Sequence, residues 1–177
     1  MGDKWGIAGL LNDLGNMAFA QADYSAARAL QAECLTLARE IGDKSDMAYA
    51  LFVLGLADLA EHKPEAREHI LHSLHLRQEM GRQLQQSSSL IGVAGLALEE
   101  GKPHFAAQLL GAVESALKIL NAVAEPDVKF FHEQMLAAAR EQLGEAAFQS
   151  AWEQGSKWSL EETVMRAMEE YGGQSAS

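Results

Sequence analysis

Three histidines, His69, His72 and His75, stand three residues apart in a stretch of helical composition. On a helix that spacing sets successive imidazoles about 60° apart, close enough for a divalent cation to bridge two of them. The apolar residues Ala66, Ile70 and Leu74 fall on the other side of the same helix, and no third carboxylate falls in register. The three histidines therefore read as a solvated face rather than a metal set. Cys34, the one cysteine, lies between Leu30 and Leu37 on an apolar face. A nucleophilic thiol needs an adjacent base or an electropositive setting, and neither is visible in the sequence. The acid pairs Glu99-Glu100, Glu161-Glu162 and Glu169-Glu170 point about 100° apart on a helix, the arrangement of solubilising charge rather than of paired catalytic carboxylates. No Gly-rich loop ending in Gly-Lys-Ser/Thr occurs. The expectation is no catalytic residue, no metal and no cofactor.

The elements that would carry these residues repeat. Gly15, Gly55 and Gly95 are 40 residues apart, and Gly42, Gly81 and Asn121 follow at 39 and 40. A period of 20 to 50 residues marks stacked units that cannot bury their apolar faces alone. In the first unit Ile7, Leu10, Leu11, Leu14, Met17 and Ala18 recur at three and four, predicting a helix from Lys4 to Ala20 whose stripe must face a neighbour. Tyr24 to Ile41 is its partner, closed by Gly42 in a left-handed cap. Met47 to Glu61 and Glu65 to Met80 form the second pair, Leu84 to Glu100 and His104 to Leu120 the third. Gln85 to Ser89 read as the exposed first turns of a helix. Glu125-Pro126-Asp127 then starts a helix to Leu143, followed by Glu145 to Gln154 and by Leu160 to Glu170, the last capped by Ser159. The prediction is an all-α fold: a right-handed α-solenoid of about three hairpins of about 40 residues (4–42, 44–81, 84–121) with a C-terminal helical cap (125–171). It forms a single domain, 1–171, with a disordered tail at 172–177.

Composition narrows the function classes. The 177 residues are 48% hydrophobic, with three prolines, enough to build a core and few interruptions to helices. A net charge of −11 argues against a phosphate-binding face, so no direct nucleic-acid contact is expected. The longest apolar run, Met47 to Ala57, is too short to span a bilayer, and Met-Gly-Asp-Lys-Trp lacks the apolar stretch of a signal peptide. A cytoplasmic protein without membrane contact is the expectation.

Helix pairs with Leu14-Gly15 or Leu54-Gly55 in the first helix, and a small residue such as Ala27, Ala66 or Ala106 where the second crosses it, resemble the tetratricopeptide repeat. The family's usual unit is 34 residues, so units of about 40 carry longer helices. The segment Ala106-Ala107-Gln108-Leu109-Leu110-Gly111-Ala112-Val113-Glu114 and the ending Leu143-Gly144-Glu145-Ala146-Ala147-Phe148, through Trp152, Gly155, Leu160, Glu161 and Glu162, are similar to a narrower group. That group is the C-terminal helical-repeat region of bacterial STAND-type signal-transduction ATPases, including LuxR-type transcriptional regulators. The resemblance implies a sensor or scaffold arm of a larger regulator, whose ATPase and effector domains lie elsewhere.

In stacked helix pairs the first helices line one concave surface. By position that surface holds Asn12, Asn16 and Phe19, then Tyr49, Phe52, Leu56 and Leu59, then Ser89, Leu96 and Glu99. Its apolar middle is read as a groove for a protein, a peptide or a small effector, with cover by the terminal helices bearing Phe148 and Trp152 as the other reading. The alternative function is a self-association scaffold, a homo-oligomer in which end repeats stack between copies.

Overall fold

The computed structural model describes residues 3–123 and 128–172, with the backbone of 126 and 127. Glu125 and residues 173–177 of the expected tail lie outside the described residues, and Gly172 ends the last helix. Nine helices form among the described residues, with no strand: α1 (Lys4–Ala20), α2 (Tyr24–Ile41), α3 (Lys44–Ala60), α4 (Glu65–Glu79), α5 (Gln83–Glu99), α6 (Pro103–Ile119), α7 (Pro126–Leu143), α8 (Glu145–Gly155) and α9 (Leu160–Gly172).

Local chemistry sets the boundaries. Asp3, Asp23 and Asp43 precede α1, α2 and α3, and each carboxylate accepts from a backbone N–H of the first turn, those of Gly6, Ala26, and Ser45 with Asp46. These bonds satisfy donors that a helix start leaves open. The helix ends repeat as regularly. Asp23, Asp43, Lys63, Lys102 and Ala122 donate their N–H to the carbonyls of Ala18, Ala38, Asp58, Ala97 and Leu117, at 2.7 to 2.9 Å. Each donor follows a left-handed residue: Ala22 (φ 60°), Gly42 (73°), His62 (54°), Gly101 (69°) and Asn121 (50°). This six-to-one bond with a left-handed residue closes a helix and reverses the chain.

The chain divides into two compact units, Met1–Met80 and Gly81–Ser177. In the first, α2 packs on α1 and α3, and α4 packs on α3. Its core gathers Ala8 and Leu11 from α1, Cys34 and Leu35 from α2, Ala48, Ala50, Leu51 and Leu54 from α3, and Leu76 from α4. Gly15 and Gly55 mark the close approaches inside the pairs. A Cβ at Gly15 would meet the Gln31 side chain at 2.5 Å, and one at Gly55 would meet Ile70 Cγ1 at 2.5 Å and the Ile70 backbone N at 3.0 Å.

In the second unit α6 packs on α5, α7 and α8, and α9 packs on α5 and α6. Its tightest crossing is glycine against backbone. A Cβ on Gly155 would lie 2.5 Å from Gln108 Cα, and one on Gly111 would strike the Trp152 carbonyl. The end of α9 is fastened by Tyr171, fully buried beside Phe105 with ring centroids 6.4 Å apart. Lys102 Nζ lies 5.1 Å from the centre of the Tyr171 ring and 2.7 Å from Glu170 Oε1.

One expectation is corrected here. Gln86, Ser87, Ser88 and Ser89 are buried, not an exposed first turn. Serine is small enough to pack closely, and its hydroxyl can return to the backbone, as Ser87 Oγ does to the Gln83 carbonyl at 3.2 Å.

Candidate interaction surface

The stripe expected to seat α1 against its neighbours is split by the fold. Leu11 is buried, while Ile7, Leu10, Leu14 and Met17 are 42 to 58% exposed. At 100° per residue these four fall within an arc of about 80°. Their position follows from what holds the rest of the helix. The Asn12 side chain donates to Asp46 Oδ1 on α3 at 3.0 Å, and Leu14 lies roughly 160° around the helix from Asn12. The stripe thus looks away from α3. On α2, Arg28 pairs with Glu61 beyond α3 at 2.6 Å, and Leu30 lies roughly 160° from Arg28. Leu30 and Leu37 are half-buried at the margin of the core, on the same free side of the hairpin. Ile7, Leu10, Leu14 and Met17, flanked by Leu30 and Leu37, make one apolar face. Single exposed apolar residues are ordinary, but a contiguous patch on the order of several hundred Å² marks an interaction site. Its rim is acidic: Asp13 on α1 and Glu33 on α2 are exposed with no cation partner among the described residues, while Glu40 is paired with Lys4 at 2.7 Å.

The residues expected to line a concave groove are distributed differently. Phe52, Leu56, Leu59, Ser89 and Leu96 are buried to 5% exposure or less, and Asn12 to 7%. Asn16, Phe19 and Tyr49 are half-buried, and Glu99 is exposed. Phe19 packs on Tyr24 with the rings tilted and their centroids 5.6 Å apart, and the Phe52 ring carries the Arg77 guanidinium at 4.5 Å. A largely apolar helix is buried on every side, as α3 is from Ala50 to Leu59, Asp58 included, and α5 is buried from Gln86 to Leu98 although it opens on Gln and three Ser. Phe148 and Trp152 pack on each other at 5.6 Å, with Arg140 over Phe148.

The histidines are not equivalent. His69 Nδ1 lies 2.8 Å from Asp58 Oδ2, and the Asp58 side chain is only 4% exposed. Arg28 Nη1 is 3.9 Å from Asp58 Oδ1 and 2.6 Å from Glu61 Oε2. Arg28 with Lys63 holds the Glu61 carboxyl below its usual range. This cluster ties α2, α3 and α4 together, and the sequence reading missed it because Asp58 sits within an apolar run. Burial, then Arg39 and His75, holds His72 below the ordinary histidine value, and His75 lies 3.2 Å from Glu79. No group of three or more His, Cys, Asp or Glu side chains is placed to hold a metal among the described residues. Cys34 is buried, and its Sγ lies 3.4 Å from the Ala8 carbonyl. Burial, with Asp46 and Asp43 nearby, pushes the thiol up to about 12, which makes thiolate scarce near neutral pH.

No helix among the described residues is long and apolar enough to cross a membrane. Compared with protein-family models, with curated proteins and with solved structures, the chain finds no match, so the functional reading rests on its own residues.

Proposed function

We propose that the chain is a non-catalytic interaction module built as a tetratricopeptide-like right-handed α-solenoid, the sensing or scaffolding arm of a larger bacterial signal-transduction or transcription regulator. Support for the repeat comes from the recurring turn, with left-handed residues at 22, 42, 62, 101 and 121 closing α1, α2, α3, α5 and α6. The observation that carries the binding role is the exposed apolar face of α1, because a helical repeat works by presenting such faces to what it holds. The partner is a protein or peptide. Panning a helical-peptide library on the immobilised chain, with a Leu10→Asp/Leu14→Asp chain as counter-selection, tests the reading. Clones lost on the counter-selected chain support it, and a library that yields none overturns it.

The same face supports a second reading, self-association through end repeats. Sedimentation over a range of concentrations separates the two: a monomer throughout removes the second.

A further inference from the structure

We infer that the free face of the α1–α2 hairpin takes an amphipathic helix of another protein, one whose apolar stripe is flanked by Lys or Arg. The inference rests on the interaction-module reading and specifies its partner. Ile7, Leu10, Leu14 and Met17 are spaced 3, 4 and 3, the seam that a second helix fills with residues at the same spacing. Leu30 and Leu37, half-buried on α2 and packed against the core, border the seam on the side away from α3. Asp13 and Glu33 stand exposed on its rim, with no counter-ion among the described residues. The only cation on α1, Lys4, is engaged by Glu40.

Charge selects the occupant. A second copy would bring the same acidic rim onto this one, in a chain whose net charge is −11, and like charges set against each other suppress a pairing. A helix with basic flanks meets Asp13 and Glu33 with opposite charge and is steered to the face as it approaches. The apolar side chains supply part of the roughly 800 Å² per partner that a standard interface buries. A helix laid along the seam, contacting α1 and α2 together, adds the remainder.

The probe is a pair of fluorescent synthetic helices with leucines at 3 and 4 spacing, one flanked by lysines and one by glutamates, titrated with the full chain by anisotropy. The lysine-flanked helix is expected to bind at least about tenfold tighter than the other, with the preference shrinking in high salt. Leu10→Asp/Leu14→Asp, at exposed positions that leave the circular dichroism unchanged, should abolish binding. Asp13→Lys/Glu33→Lys should reverse the preference. Equal affinity for the two helices, lost in the aspartate variant, overturns the inference while leaving the interaction module standing. A lysine preference that survives the aspartate variant is diffuse attraction to an acidic chain and also overturns it. A concentration-dependent dimer dispersed by Leu10→Asp/Leu14→Asp assigns the face to a second copy instead. If no probe binds and no dimer forms, both the inference and the reading beneath it fall.

Discussion

His69 Nδ1 lies 2.8 Å from Asp58 Oδ2 across the packing of α4 on α3, and the carboxylate it meets is almost wholly enclosed. An enclosed carboxylate is tolerable only while its partners remain. Asp58→Ala is expected to lower stability by about 3 kcal/mol, since it leaves His69 without the carboxylate it meets and removes a negative charge 3.9 Å from Arg28. Asp58→Asn keeps an oxygen at the site and should cost less than half as much. Urea midpoints of the two variants decide; equal losses would show that volume, not the polar contact, matters at this position.

Two helical glycines should answer substitution in opposite ways. Gly155→Ala drives a methyl group into the Gln108 backbone, and a backbone cannot swing aside as a side chain does, so a loss of about 3 kcal/mol is expected. Gly9→Ala meets nothing within 4 Å and should stabilise by about 0.5–1 kcal/mol, because alanine has less freedom to lose on folding. Thermal unfolding of each variant checks the pair, and a destabilised Gly9→Ala would place a neighbour on that face.

Ala22 and His62 occupy the left-handed conformation that Gly42 and Gly101 occupy at other helix ends. A Cβ there is strained by about 1 kcal/mol. Ala22→Gly should therefore raise the unfolding midpoint despite the extra freedom it gives the unfolded chain. A lowered midpoint would show that the alanine methyl contributes packing.

Acid should weaken the fold through two histidines. His132 and His72 are both held below the ordinary histidine value, chiefly by burial. The unfolded chain then takes up protons near pH 6.5 while the folded chain does not, so stability is full above that pH and falls as pH drops through it toward the folded values. Glu114 and Glu133 favour the charged form of His132 but do not outweigh its burial. Asp46, raised by burial and by Asp43, works in the opposite sense at lower pH, where protonation favours the folded state. Denaturant midpoints between about pH 7.5 and 5 should flatten in His72→Gln/His132→Gln; an unchanged slope would place the sensitivity elsewhere.

The helix ends were legible because their signals are local. Asp23 before a helix, Pro64 and Pro103 at a start, and Gly42 and Gly81 at a stop place boundaries within a residue or two of those found, whereas α3 begins at Lys44, directly after Asp43 and three residues before the expected Met47. What the sequence could not separate was lining from core. Phe52, Leu56 and Leu59 sit at groove positions by period, yet their helix is apolar on every side, and that all-round pattern was the available signal for burial. The exposed stripe was legible as a stripe, but only packing could show that Leu11 turned inward while Leu10 and Leu14 did not. The contact between Gly155 and Gln108 joins residues far apart in the chain, where no local rule reaches.

Cys34 is the one cysteine of the chain, and it is sealed inside Met1–Met80, whereas Trp152 and Trp158 belong to Gly81–Ser177. Trp5 stands in the first half with Cys34, so in a Trp5→Phe chain the chemical reporter lies in one half and the optical reporters in the other. The rate at which a thiol reagent captures Cys34 times the opening of the first half alone. Set beside the decay of tryptophan emission in the Trp5→Phe chain, it reveals whether the halves come apart in one cooperative event or in succession.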